Sequence, residues 1–141
     1  MKSNLKILTS YVSRENLDRF VKSEILPIFI IRNISGSRLI SQYSGTILQF
    51  KQLSPQTELF QRYRSGEIDF ERYQKEYVIG LAGLNYSNLI KRLEYLQELS
   101  GANSVVLLGY EKDPDMCHRT LLSDILNRTG LLEIEVREAE I

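Results

Sequence analysis

At 141 residues, with eighteen basic residues against eighteen acidic ones, the chain has the length of one domain and no net charge. No global field therefore draws it towards nucleic acid or an anionic membrane. Its single cysteine rules out an internal disulfide, and Cys117 with the only histidine, His118, is too small a set for a structural zinc site, so no metal is expected.

Residues 5–9, LKILT, form a short apolar run expected as a buried strand. SRENLDRFVKS then spaces Leu17, Phe20 and Val21 as one helix face. ILPIFIIR follows, β-branched and aromatic enough for a strand covered on both faces, and NISGSRLISQYSG reads as the loop at its end. This run from Ile25 to Ile31 is the longest apolar stretch, far short of the roughly 20 residues that span a bilayer. The amino terminus lacks the about 7–15 apolar residues of a signal peptide, so the expectation is a soluble, unprocessed, cytoplasmic protein with no membrane partner. No repeat or linker divides it, and 1–141 is expected to be one compact domain.

In LSPQTELFQRYR, Ser54 is expected to cap a helix with Pro55 at its first position. Asp69 caps FERYQKEYVIGL, where Phe70, Tyr73 and Tyr77 share a face. Ser87 caps NLIKRLEYLQEL, with Leu89, Ile90, Leu93 and Leu96 inward and Gly101 ending the helix in a left-handed conformation. SVVLLGY is the clearest strand, a continuous apolar run of the parallel-sheet kind. After it, Asp113-Pro114 or Asp115 starts a helix carrying Leu121, Leu122, Ile125 and Leu126, which Gly130 ends. LEIEVRE alternates Leu132, Ile134 and Val136 with charge, as an edge strand with one wet face does. Strands alternating with helices imply an α/β fold: a small, mainly parallel, Rossmann-like sheet flanked by helices.

In such sheets ligands bind beyond the carboxyl ends of the strands. The strand ends here carry Ser10 and Tyr11, then Arg32, then Tyr110 and Glu111, with Cys117, His118 and Arg119 a short loop away. If the strands are parallel these groups meet on one rim, where the alternative is that polar residues simply follow strands into wet loops.

For Cys117 two readings stand. A first helical turn next to Arg119 would favour the thiolate, whereas the spacing 117, 121, 125 would put the thiol on a packed face with Leu121 and Ile125. Consecutive helical residues point roughly 100° apart, so His118 is not expected to serve as the base for this thiol. His118 is either a helix-end hydrogen-bonding residue or a proton-transfer group. Arg119 sits against the unfavourable end of a helix dipole, so it needs a neutralising anion, either Glu111 or a bound ligand.

Glycine-rich phosphate loops, GxGxxG, HExxH and nucleophile-elbow patterns are missing, and any cofactor stays unknown from the sequence. A phosphatase-type loop would want an arginine at position 123, which is serine. Arg62, Arg64, Arg72 and Lys75 lie among Tyr63, Phe70, Tyr73 and Tyr77, a mixture that either binds nucleic acid or is a solvated helix face over an aromatic stripe.

At VVLLGYEKDPDMCHRTLL the chain resembles the family catalogued as domain of unknown function 488, in which an apolar strand and an acidic residue precede a Cys-His-Arg helix start. The likeness carries to Glu111, Cys117, His118 and Arg119, and extends to LTSY, PIFIIRNISGSR, LSPQTELF and FERYQKEY. Many members have an aspartate two residues before the arginine matching Arg32, and a proline in the next loop. This chain has Ile30 and Ser35 there, which makes Glu111 the main acid of the rim. Cysteine is common where this chain has Gly109. The resemblance implies a compact α/β fold and a polar cluster of the kind enzymes use.

Together these readings point to a rim site for an anionic small molecule, nucleotide-like or another phosphate ester. Arg119 and Arg32 would hold the anion, Ser10, Tyr11 and Tyr110 would contribute to binding, and Cys117, His118 and Glu111 would be available for catalysis. A nucleic-acid accessory role through residues 61–77, and a non-catalytic regulatory or interaction domain, are the alternatives.

Overall fold

A computed structural model of the chain describes residues 2–31 and 48–140. Five strands form one sheet: β1 (Ile7–Tyr11), β2 (Ile25–Phe29), β3 (Leu48–Gln49), β4 (Ser104–Gly109) and β5 (Arg137–Glu138), in the order β3-β2-β4-β1-β5. Every pairing is parallel, with Ile7 opposite Val105, Ile25 opposite Ser104 and Leu8 opposite Arg137. The fold is therefore α/β, as the alternation of apolar runs and helical stripes implies.

Five helices are described: α1 (Arg14–Lys22), α2 (Thr57–Arg64), α3 (Phe70–Leu81), α4 (Tyr86–Ser100) and α5 (His118–Arg128). The side-chain period of two divides the central strands between two cores. Ile7, Ile28, Val105 and Leu107 face the larger one, with Tyr77 and Leu81 of α3, Leu89 and Leu93 of α4, and Leu122 and Leu126 of α5. Phe29, Val106 and Leu108 face the smaller one, closed by Leu17 and Phe20 of α1. Thus β1 leads through α1 on one face to β2, while its neighbour β4 leads through α5 on the other face to β5. Sheets whose connections diverge in this way hold ligands beyond the carboxyl ends of their strands.

Local chemistry explains where the expected elements shifted. Asp69 does cap α3, its carboxylate accepting the Arg72 N–H at 2.8 Å. The cap of α4 is Asn85, which accepts from Asn88 N at 3.1 Å, so Ser87 falls inside the first turn. Ser54 is spent otherwise: its hydroxyl donates to Lys51 O at 2.6 Å, closing the 3-10 turn Lys51–Leu53, and α2 begins only after Gln56. Gly101 takes φ 71° as expected.

Val21 is exposed rather than buried. Asn16 takes an interior place instead, donating to Tyr11 O at 3.0 Å, which turns the buried stripe Asn16-Leu17-Phe20 roughly 90° from Val21. The segment Leu132–Val136 does not extend as a strand. Asn127 bonds both backbone groups of Val136, at 2.7 and 3.1 Å, leaving only Arg137–Glu138 to pair with β1. The loop NISGSRLISQYSG lies outside the described residues, as does Arg32. Among the described residues no helix is long and apolar enough to cross a membrane.

Candidate functional site

The crevice beyond β2 and β4 holds a cavity of about 510 Å³. Its apolar wall comes from Ile31, just past β2, and from Phe60, Tyr63 and Tyr73 of α2 and α3. Tyr63 and Tyr73 stack on each other with ring centres 4.7 Å apart. Burial raises the Tyr73 pKa, so this hydroxyl stays protonated. Tyr110, Glu111, Met116, Cys117 and His118 complete the floor and rim, and Arg64 stands at the mouth, 3.8 Å from Glu111.

Between β4 and α5, Asp113 accepts from Asp115 N at 3.0 Å and sets up the 3-10 turn Pro114–Met116. The chain then extends at Cys117, with φ −121° and ψ 143°, before α5 starts at His118. Cys117 is thus the residue ahead of the helix, not a member of its first turn. This overturns the expectation that neighbouring side chains must diverge, because the roughly 100° rule holds only where both residues are helical.

The sulfur is buried and lies 3.8 Å from His118 Nδ1. The other ring nitrogen, Nε2, is 2.7 Å from Ile30 O. A carbonyl only accepts, so Nε2 carries the ring proton and Nδ1 presents its lone pair to the thiol. Burial pushes the His118 pKa down to about 4 despite the Ile30 bond, with the Arg119 charge acting in the same direction as burial. The ring is therefore neutral at pH 7. An edge-on contact with Tyr77, at 5.4 Å, braces it.

Space for the sulfur is made by Gly109. A Cβ there would sit 2.5 Å from Cys117 Sγ and 3.8 Å from Arg119 Cβ.

Arg119 is fully buried beneath this pair. Its Nε donates to both Glu138 oxygens at 3.0 and 3.2 Å, and Nη2 to Oε2 at 2.7 Å. The remaining donors reach the carbonyls of Glu111 and of Lys112, the latter at 3.1 Å. Burial opposes its charge, yet the Glu138 bonds outweigh that and hold the guanidinium protonated. Thr9 adds a 2.8 Å hydrogen bond to Glu138, and the Tyr11 ring lies 6.0 Å from the guanidinium carbon. The carboxylate of Glu111 faces Arg64, so it is the backbone carbonyl of Glu111 that meets Arg119.

Ser10 takes the opposite face of β1, level with Leu108 and Phe29, so it is not grouped with Cys117. Its buried hydroxyl finds no partner among the described residues. On the arginine and tyrosine surface, Arg62 binds Glu67 and Glu76, Arg72 binds Glu76, and Tyr73 and Tyr77 are turned inward. Among the described residues no group of three or more His, Cys, Asp and Glu is arranged to hold a metal.

Two members of this cluster escaped the sequence. Glu138 falls in phase with Leu132, Ile134 and Val136 at the end of the alternating run, and only the placement of β5 beside β1 brings it to Arg119. Arg64 is one of several arginines in a polar helix, and nothing in its spacing singles it out.

A family model described as the Active DUF488-N3 subclade matches residues 17–130. No curated protein and no solved structure matches the chain.

Proposed function

Since the chain belongs to the DUF488 family, and its described pocket joins a thiol, an imidazole and a guanidinium, we propose that it binds a nucleotide-like anion and acts on it through Cys117. The observation that carries this reading is that one cavity is lined by Cys117, by the His118 ring poised to accept its proton, and by the outward-reaching Arg64. Arg64, the arginine at the pocket among the described residues, stands beside aromatic walls, which suits a ligand with one anionic end and one planar end. Phosphate or carboxylate pairs with the guanidinium, and the ring packs against Phe60, Tyr63 and Tyr73.

In the reaction Cys117 Sγ attacks an electrophilic carbon or phosphorus of the ligand while Nδ1 of His118 takes the thiol proton. The electron pair of the broken bond leaves with the departing group, which then receives that proton from the imidazolium. With its pKa held down to about 4 by burial, the charged ring gives its proton up readily. Glu111 orients Arg64, and Tyr110 borders the entrance.

Thermal-shift and calorimetric titrations with nucleoside mono- and triphosphates test the reading, with inorganic phosphate as a reference. A ligand at a hundred times its Kd stabilises by about 2.7 kcal/mol. The wild-type protein and Cys117→Ser should both show the shift, and Arg64→Ala should lose it. Wild-type protein indifferent to every nucleotide, or Arg64→Ala binding as tightly as wild type, refutes the assignment.

A further inference from the structure

Arg119 is wholly withdrawn from solvent, its side chain and the Cys117 sulfur both border the space beside Gly109, its charge acts on the Cys117 thiol, and its counter-charge comes from Glu138. The Arg119 side chain is 0% exposed, whereas that of Glu138 is 37% exposed. The pair therefore has one end in the core and one end at the surface. Glu138 is held by the Thr9 hydroxyl at 2.8 Å and by a strand of only two residues, followed by the Ala139 N–H on Thr9 O at 2.7 Å. Thr9 and Glu138 both lie outside the stretch 17–130 that the family model matches.

We propose that Glu138 is a positioning residue for Cys117, one that sets how readily the thiol loses its proton by neutralising and orienting Arg119. The proposal rests on the reading that Cys117 is a reactive thiol, and it makes β5 part of the site.

With Glu138 docked, the guanidinium's charge is balanced and its donors are directed to the carboxylate and to the Glu111 and Lys112 carbonyls. With Glu138 neutralised or withdrawn, the same guanidinium stands unbalanced beside the sulfur and stabilises the thiolate, since an opposite charge nearby favours the ionised form. Among the described residues the other titratable groups around this centre are His118 on α5, Tyr73 and Tyr77 on α3, Glu111 after β4 and Tyr11 on β1. His118, Tyr73 and Tyr77 are neutral at pH 7, and Glu111 is paired with Arg64. Among the described residues, Arg119 and Glu138 thus form the partly buried charge pair whose balance acts on the thiol.

The chain has no other cysteine, so alkylation by iodoacetamide followed by intact mass reports this thiol alone. The rate is measured over a pH series spanning the ordinary thiol value of about 8.5, for wild type, Glu138→Gln and Glu138→Asp, with melting temperatures alongside. Glu138→Gln should move the midpoint down by about one pH unit. Glu138→Asp keeps the charge and should stay near wild type, although both variants melt earlier. Equal midpoints in the two variants, or no downward movement in Glu138→Gln, overturn the proposal. If the wild-type thiol labels only as fast as the protein unfolds, the reactive-thiol reading fails and the proposal falls with it.

Discussion

Gly109→Ala probes the site at its tightest point. The added Cβ would lie 2.5 Å from Cys117 Sγ and 3.5 Å from His118 Cε1, against the about 3.5–4.0 Å at which carbon atoms pack. The sulfur has to retreat by more than an ångström, and His118 blocks the retreat because Ile30 O holds its ring in place. Overpacking of this kind costs about 1–3 kcal/mol, which lowers the melting temperature by roughly 3–10 °C in a domain of this size.

Truncating the neighbour gives the control. Cys117→Ala removes the atom that collides, so in the Cys117→Ala background the added methyl at 109 should cost little. A double-mutant cycle by urea denaturation should then return a coupling of about 1–2 kcal/mol. Additive effects would show that the thiol does not occupy the space Gly109 leaves, and the Cys117–His118 geometry built on that space would be wrong.

His118 should make stability depend on pH. Its folded pKa lies below 6.5, at about 4, so between those values the unfolded chain binds a proton that the folded chain refuses. Stability from the neutral ring is whole above 6.5 and is lost as pH falls towards 4, by about 3 kcal/mol at the low end. Denaturation of His118→Gln at about pH 7 and about pH 4.5 should show this dependence flattened; an unchanged slope refutes it. Tyr77→Phe should cost about 1–2 kcal/mol, because the buried hydroxyl donates to Leu53 O at 2.6 Å and its loss strands that carbonyl. It should leave alkylation of Cys117 unaltered, and a faster rate would mean that Tyr77 does more than support the His118 ring.

Much of this fold is local information. Strand β4 follows from an unbroken apolar run between turn formers, and α3 from Asp69 followed by aromatic residues at helical spacing. The errors arise where two neighbouring groups compete for one role. Asn85 and Ser87 can each cap α4, and the choice depends on which side chain reaches the third amide ahead. Val21 and Asn16 compete for one side of α1, and Asn16 wins because Tyr11 O needs a donor. Val136 looks like a strand residue until Asn127, nine positions earlier, takes its backbone groups.

The site was legible in location more than in pairing, and the reason is the range of its interactions. Parallel strands bring Tyr11, Glu111 and Cys117 to one rim by topology alone. A guanidinium at a helix start needs a neutralising anion, but that need selects a kind of partner and not a residue. Glu111 is nearest in sequence, yet its side chain turns outward to Arg64, while its backbone accepts from Arg119. The neutralising carboxylate comes from nineteen residues further on, through a strand that pairs on the far side of β1. Likewise the thiol and imidazole meet only because the chain is still extended at Cys117, a consequence of the Asp113-capped turn before it. Both arrangements turn on where an element begins or what lies beside it in space, so a motif of three adjacent residues could mark the site without stating which of them touch.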